Sequence, residues 1–121
     1  MFYTPQRGHR FVDRGERDDY NFYTGYWVKD GAWHDLDLAI AVPIGAKLVF
    51  IKFKVNCAVS PTFIKLRTKG VTNVFSESVF NILVADTEMY GYLWIVPDSN
   101  RIIQYNVPAV AFTDLFGVVL S

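Results

Sequence analysis

The segment Lys47–Val55, KLVFIKFKV, decides the fold class of this chain of 121 residues. Val49, Ile51, Phe53 and Val55 alternate with residues of which two are lysines. Period-two alternation rich in β-branched and aromatic residues is typical of a strand with one buried face. The segment therefore predicts a half-buried β-strand.

Comparable segments recur along the chain, with turn residues between them, at intervals of about 8–12 residues. The predicted strands are Tyr20–Lys29, Trp33–Leu38, Lys47–Val55, Thr62–Arg67, Val74–Val84 (one long strand or two short ones), Glu88–Val96, Arg101–Val107 and Val110–Leu120. No helical period of useful length interrupts them. The pattern predicts an all-β fold, an antiparallel β-sandwich of about eight strands that could be a jelly roll.

Particular residues predict local features of these strands. Asp30-Gly31 is a dipeptide typical of a hairpin turn. Gly25 and Gly91 fall inside predicted strands, where glycine often marks a β-bulge. In the segment that contains Gly91, one face carries Met89, Leu93 and Ile95, and the other carries Tyr90, Tyr92 and Trp94.

Residues 1–19 differ in composition from the rest of the chain. Eight charged residues lie between Arg7 and Asp19. Four apolar residues accompany them: Phe2, Tyr3, Phe11 and Val12. Because a solvated disordered tail lacks aromatic residues, we predict an extended N-terminal arm over 1–19 that becomes ordered against another molecule, followed by a β-sandwich domain over 20–121. The alternative is an unordered terminus.

The overall composition favours association of the chain with itself or with other proteins. Twelve basic and twelve acidic residues give no net charge, and 17% of the residues are aromatic. A balanced charge provides no general attraction to nucleic acid or to anionic membranes. We find no signal peptide and no apolar run near the ~20 residues of a membrane span. Cys57 is the single cysteine, which fits a reducing compartment, and we expect its thiol to be buried and unreactive.

Few side chains are of the types that catalysis or metal binding requires. The two histidines, His9 and His34, are separated in sequence, and alternation with leucines places His34 inward or at a sheet edge. Asp35 and Asp37 share one strand face and could form an acid–base pair or a calcium site, although a solvated polar face is the simpler interpretation. No nucleophile or phosphate-loop motif is present. We therefore predict no enzymatic activity, no cofactor and no metal.

Two further groups of residues suggest binding. The basic residues could form one nucleic-acid-binding cluster if their strands pair, although solubility or edge protection explains them equally well. They are Lys52, Lys54, Lys65, Arg67 and Lys69. Aromatic rings could instead stack on sugars, a hypothesis raised by Trp27, Trp33, Tyr90, Tyr92 and Trp94. Trp27 and Trp33 are the candidate glycan contacts, and glycan binding predicts that Trp27, Trp33 or Trp94 is exposed in a groove. Otherwise the aromatic residues, Tyr90, Tyr92 and Trp94 in particular, would form the core and contacts between subunits.

Four segments of the chain look familiar together: DGAWHDLDL (30–38), VPIGAK (42–47), RTKG (67–70) with Asn73, and VPDSNR (96–101) with Tyr105. They resemble a family of small β-sandwich proteins encoded by tailed bacteriophages and prophages. The resemblance covers roughly residues 25–107. These are turn and strand patterns, not a catalytic fingerprint, and the arm and the C-terminal end lie outside them.

The resemblance implies a virion structural protein without enzymatic residues, assembled in the host cytoplasm. We expect a capsid decoration (cement) protein that contacts the major capsid protein or other virion proteins and forms a homo-oligomer, with a trimer favoured. The expected contact residues are Phe2, Tyr3, Phe11, Val12, Tyr90, Tyr92 and Trp94. The alternative is a receptor- or glycan-binding module of a tail fibre. Membrane and nucleic acid are not expected partners.

Overall fold

The structure, a computed structural model, describes residues 21–22, 27–39, 42 and 44–119. Within these ranges the chain forms eight β-strands and one short 3₁₀ turn. They are β1 (Asn21–Phe22), β2 (Trp33–Asp37), β3 (Val49–Cys57), β4 (Thr62–Thr68), the 3₁₀ turn Val74–Ser76, β5 (Ser78–Ile82), β6 (Met89–Ile95), β7 (Ile102–Asn106) and β8 (Phe112–Val119). The predicted all-β fold is confirmed.

The strands form two four-stranded sheets, with the orders β1-β8-β3-β6 and β2-β7-β4-β5. All ladders between these strands are antiparallel. The pairing is nested: β1 pairs with β8, β2 with β7, β3 with β6, and β4 with β5. Most connections therefore cross from one sheet to the other, which brings the two sheets together as an antiparallel sandwich.

The core of the sandwich contains the alternating residues that the sequence marks as apolar. Val49, Ile51, Phe53 and Val55 of β3 are completely buried, and they share one core cluster with residues such as Leu66 from the opposite sheet. Burial of this apolar area is the main contribution to the stability of a domain of this size. The intervening residues of β3 face outward, as the alternation predicts.

Gly91 is a packing site and not the predicted β-bulge. The register of β6 against β3 continues through the pair Phe53–Gly91 without a shift. A Cβ atom at Gly91 would lie 2.0 Å from Cε2 of Phe80, a buried residue of β5 in the other sheet. Glycine is therefore required here because the Phe80 ring occupies the space of a side chain.

The segment Val74–Val84 does not form the predicted strand over its full length. Its first residues form the 3₁₀ turn, and β5 begins only at Ser78. The side chain of Asn73 accepts a hydrogen bond from the backbone N–H of Phe75 and so caps the turn. Such local side-chain capping competes with extension of a strand.

The Asp30-Gly31 turn does not join a hairpin in the described residues. β2 pairs with β7, and Lys29 forms an isolated parallel bridge with Val107. The Asp30 carboxylate instead accepts the N–H of Ala32, as in a local Asx turn. Residues 1–20 and Gly25 lie outside the described residues, as does most of the predicted strand Tyr20–Lys29. None of the helical segments in the described ranges is long and apolar enough to span a bilayer.

Candidate interaction surface

The outer side of β6 carries a row of exposed aromatic rings. Tyr90, Tyr92 and Trp94 are 59%, 60% and 59% exposed. Leu93 and Ile95, the residues on either side of Trp94 in the sequence, are buried in the core. The alternation follows from the two-residue period of a strand. β6 is the last strand of its sheet, so the row lies along a sheet edge. The predicted division of the two faces of this segment is confirmed.

Lysine 52 of β3 extends this surface. It lies opposite Tyr92 in the ladder, and its Nζ is 5.5 Å from the ring centroid of Tyr90 and 5.8 Å from that of Tyr92. At these distances the ammonium group and the rings attract each other. We refer to Lys52, Tyr90, Tyr92 and Trp94 as the aromatic face.

Ion pairs border the aromatic face on one side. The Nζ of Lys54 lies 3.0 Å from Glu88 Oε1 and 3.4 Å from Asp114 Oδ2, and the Tyr90 hydroxyl donates to Glu88 Oε1 at 3.1 Å. The hydrogen bond from Lys54, and then that from Tyr90, lowers the pKa of Glu88. The same contact raises the pKa of Lys54, and donation to Glu88 raises the pKa of Tyr90. These charges are therefore held in mutual contacts beside the rings.

The outer face of the other sheet carries a hydrogen-bonded network. The Arg67 guanidinium lies 4.0 Å from the ring centroid of Trp33, and its Nε donates to Gln104 Oε1 at 2.8 Å. Gln104 Nε2 donates to Asp35 Oδ1 at 2.9 Å, and Lys69 donates to the other carboxylate oxygen. We refer to these five residues as the polar network.

The polar network occupies the carboxylate of Asp35, which the sequence analysis paired with Asp37 as a possible acid–base or calcium site. The hydrogen bond from Lys69, and then that from Gln104, lowers the pKa of Asp35, and the same ion pair raises the pKa of Lys69. Asp37 accepts the backbone N–H of Ala39 instead. The two carboxylates therefore contact separate partners and do not converge on a common ligand. No group of three or more His, Cys, Asp or Glu side chains that could hold a metal occurs in the described part of the chain.

The basic residues do not form the single cluster that strand pairing could have produced. Lys52 and Lys54 belong to β3, whereas Lys65 and Arg67 belong to β4, and the two strands lie in different sheets. Since the outward sides of these strands face in opposite directions, the charges are divided between the two faces of the sandwich. The hypothesis of one basic surface is therefore wrong.

Of the two candidate glycan contacts, one is excluded by burial. Trp27 is only 3% exposed and packs against Phe53 and, edge to face, against Tyr105 at 4.8 Å between ring centroids. Its ring has no free face for a sugar. Trp33 is half-buried on the outer surface, where Arg67 covers one side of its ring. Trp94, with a largely exposed ring, is better placed for stacking than either.

His34 and Cys57 occupy structural positions. His34 lies half-buried on the edge strand β2, with Nε2 at 2.8 Å and 3.0 Å from the two carboxylate oxygens of Asp30. The hydrogen bond from Ala32, followed by that from His34, lowers the pKa of Asp30. Cys57 is completely buried, as predicted, with Sγ 3.8 Å from the hydroxyl of Thr62.

The sequence does not predict the exposed position of Phe75. Phe75, in the 3₁₀ turn, is 94% exposed, although the sequence analysis placed it in a strand. The signal that could have identified it is Asn73 before a short apolar pair, since asparagine caps turns. The predicted contact residues of the arm, Phe2, Tyr3, Phe11 and Val12, lie outside the described residues, as does His9.

Comparisons of the chain with protein-family models, with curated proteins and with solved structures give no match. The function is therefore inferred from the surfaces described above and from the resemblance seen in the sequence.

Proposed function

We propose that the protein is a non-enzymatic structural protein of a tailed-bacteriophage virion, and specifically a capsid decoration protein. In this proposal, the arm over 1–19 binds the capsid shell, and the sandwich associates with further copies of itself, a trimer being favoured. The single observation that carries the proposal is the aromatic face, which exposes three large rings along one sheet edge.

The aromatic face has the composition of a protein interface. Tyrosine and tryptophan are enriched in interfaces because they bury a large area with few rotatable bonds. A row of such side chains is unusual on the surface of a monomer and is typical of an interaction site. Lys52 already packs over two of the rings, so a partner would cover an organised surface. Contact with a neighbouring subunit explains why these rings are at the surface.

The nested strand pairing is consistent with this proposal. Eight strands that pair first with last and fourth with fifth, in two four-stranded sheets, correspond to a jelly roll, and we propose that identification here. Jelly rolls build viral capsid domains, but they also build lectins. The fold is therefore compatible with a capsid protein and with a lectin, and the properties of the aromatic face distinguish these two classes.

A receptor- or glycan-binding module of a tail fibre is the second candidate. The observation that favours it is the exposed ring of Trp94, which lies in a row with two tyrosines, while the Lys54–Glu88 pair at the Tyr90 end supplies polar groups. Rings for stacking beside groups for hydrogen bonding are the elements that sugar recognition needs. The two candidates use the same surface and differ in what covers it.

The deciding experiment measures association of the full-length protein with phage particles and with itself. Particles from a lysate of the strain that encodes the chain are purified, probed for the protein, and examined for its position on the particle. Sedimentation velocity of the purified protein measures self-association. The test variants are Tyr92→Ser and Trp94→Ser, and the matched control is Phe63→Ser, an exposed aromatic residue on β4 in the opposite sheet.

We expect the protein on intact capsids, and we expect the two aromatic-face variants to self-associate at least about tenfold more weakly than the control. Location of the protein on the tail and not on the capsid, combined with glycan-array binding that Trp94→Ser abolishes, would favour the second candidate. Absence of the protein from particles would contradict both candidates. A monomeric wild-type protein would contradict the role assigned to the aromatic face.

A further inference from the structure

The free edge of β6 lies beside β5, the last strand of the other sheet. β3 pairs with β6 on one side, and none of the strands that the structure describes pairs with it on the other. An exposed edge of this kind presents backbone N–H and C=O groups that can pair with a strand of another molecule. The state of these backbone groups therefore decides how a second copy can meet β6.

Two hydroxyl groups of the other sheet bond to carbonyls at this edge. The Ser78 hydroxyl of β5 donates to the Trp94 carbonyl at 2.6 Å. The Thr68 hydroxyl, at the end of β4, donates to the carbonyl of Val96, just after β6. Both donors belong to the sheet that does not contain β3, and residues two apart in an antiparallel strand direct their backbone groups to the same side. The two carbonyls are therefore acceptors of the free edge.

Packing between β5 and β6 positions the Ser78 hydroxyl. Ser78 lies on the same side of β5 as the buried residues Phe80 and Ile82. The Phe80 ring occupies the space beside Gly91, so β5 approaches β6 closely. Because glycine admits this approach, a side chain as short as serine reaches the backbone at the edge of the neighbouring sheet.

The part of the edge that remains open is short. By the same two-residue period, the backbone groups of Tyr90 and Tyr92 also face away from β3. An incoming strand would therefore find these two pairing positions before it met the bonded carbonyl of Trp94. Natural proteins limit association between sheet edges by keeping the edges short and covered.

We propose that the Ser78 and Thr68 hydroxyls close the edge of β6 to strand pairing, so that a second copy contacts this strand through the rings of the aromatic face and not through its backbone. The inference deepens the proposed function, on which it rests for the association of the wild type, by stating the kind of contact between copies. Strand pairing at an open edge would instead favour aggregation.

The test removes the two hydroxyl groups in the full-length chain. Thr68→Val/Ser78→Ala nearly keeps the size of both side chains and frees both carbonyls. The matched control is Ser76→Ala/Thr87→Val, because both residues are exposed and lie outside β6, and the Thr87 hydroxyl donates to the nearby Ala85 carbonyl. Sedimentation velocity measures association, hydrogen exchange measures protection of the Tyr92 amide, and urea unfolding verifies that each variant is folded.

We expect Thr68→Val/Ser78→Ala to self-associate at least about tenfold more strongly than the control, since each freed carbonyl can accept a hydrogen bond from a second chain. The Tyr92 amide should exchange rapidly in the wild-type oligomer and slowly in that of the double variant, because strand pairing bonds this amide and contact through the rings does not. The added association should persist when Tyr92→Ser is introduced as well, because backbone pairing does not need the ring.

The contrary results separate the inference from the proposed function. If the double variant associates like the control, or if the Tyr92 amide is protected in the wild-type oligomer, the inference is wrong and the proposed function stands. If the wild type is monomeric, the role of the aromatic face fails, while stronger association of the double variant would still support closure of the edge. If the double variant does not fold, Ser78→Ala alone takes its place in the same comparison.

Discussion

The two outer faces of the sandwich each present a tryptophan to the surface, yet the surroundings of the two rings differ. Trp33 lies beside Arg67, which donates a hydrogen bond to Gln104. Gln104 in turn donates to Asp35, so that these side chains form one network. Trp94 lies in the row of exposed rings on β6. The polar groups around Trp33 satisfy one another, whereas the row on β6 leaves three neighbouring rings uncovered. A tryptophan is therefore part of a self-contained polar network in one place and part of a surface suited to association in the other.

Strand register is the cause of this difference. Gln104 on β7 lies directly opposite Asp35 of β2 on one side and Arg67 of β4 on the other, so one amide reaches both charged groups. On the other sheet, Lys52 and Lys54 of β3 lie opposite Tyr92 and Tyr90. Cross-strand neighbours are the units that stabilise a sheet. A polar triplet in register stabilises the domain, while lysine–tyrosine pairs leave the rings available to a partner.

The largest expected effect is that of a substitution at the contact between the two sheets, Gly91→Ala. Gly91→Ala places a Cβ atom where the Phe80 ring now lies, so β6 and its row of aromatic residues must shift away from the opposite sheet. We expect a loss of about 3 kcal/mol in the free energy of unfolding, measured by urea titration. In the double variant Gly91→Ala/Phe80→Leu, part of this loss should be recovered, because the smaller side chain vacates the space. If the Gly91→Ala variant is as stable as the wild type, the Phe80 ring does not occupy the space beside Gly91.

Two substitutions with intermediate effects distinguish the polar network from the aromatic face. Gln104→Ala removes the hydrogen bonds to Arg67 and Asp35, and we expect it to lower the free energy of unfolding by about 1 kcal/mol without changing self-association. Tyr92→Ser should do the reverse, weakening association while leaving the urea midpoint of the monomeric protein unchanged. Urea unfolding at low concentration and sedimentation velocity measure the two quantities. Equal behaviour of the two variants would mean that the faces do not differ in the way proposed.

The smallest expected effect concerns the charge on the polar network. The hydrogen bond from Lys69 holds the pKa of Asp35 below its ordinary value of 3.8. A carboxylate with a lowered pKa stabilises the folded state above its unfolded pKa, and that contribution disappears as pH falls through the lower folded value. Because both groups are exposed, the effect is small and is screened by salt.

The pH effect is measured as the difference in Tm between the wild type and Lys69→Met. We expect a small difference near neutral pH that vanishes in strong acid and shrinks in molar NaCl. NMR titration of the Asp35 carboxyl reports the lowered pKa directly, and Lys69→Met should move it upward. A titration unchanged by Lys69→Met would show that the ion pair does not form in solution.

Some of this fold could be predicted from residue patterns alone. Alternation over Val49–Val55 and over Met89–Ile95 identified both strands and assigned their buried sides. The pattern failed where a local hydrogen bond competes with strand pairing, as at Asn73 and at Asp30. It also failed at Gly91, because a glycine that admits a ring from the opposite sheet is indistinguishable in sequence from one at a bulge.

The aromatic row could be predicted from the sequence, whereas the polar network could not. Tyr90, Tyr92 and Trp94 belong to one strand, so the two-residue period is enough to place them on one face. The polar network joins residues from β2, β4 and β7, and its existence depends on a register that no local pattern encodes. The burial of Trp27 also depends on contacts with distant residues, Phe53 and Tyr105.

The sequence by itself determined which side chains of β3 and β6 alternate, and hence the all-β class, because the direction of a side chain in a strand depends only on its parity. Tertiary structure alone decided which strands became neighbours. It thereby decided that Lys52 and Lys54 lie on the opposite side of the sandwich from Lys65 and Arg67. The packing of the whole core decides which strands are neighbours in a sheet. It thereby gave Trp33 polar neighbours from three strands and left the rings of Tyr90, Tyr92 and Trp94 exposed in one row.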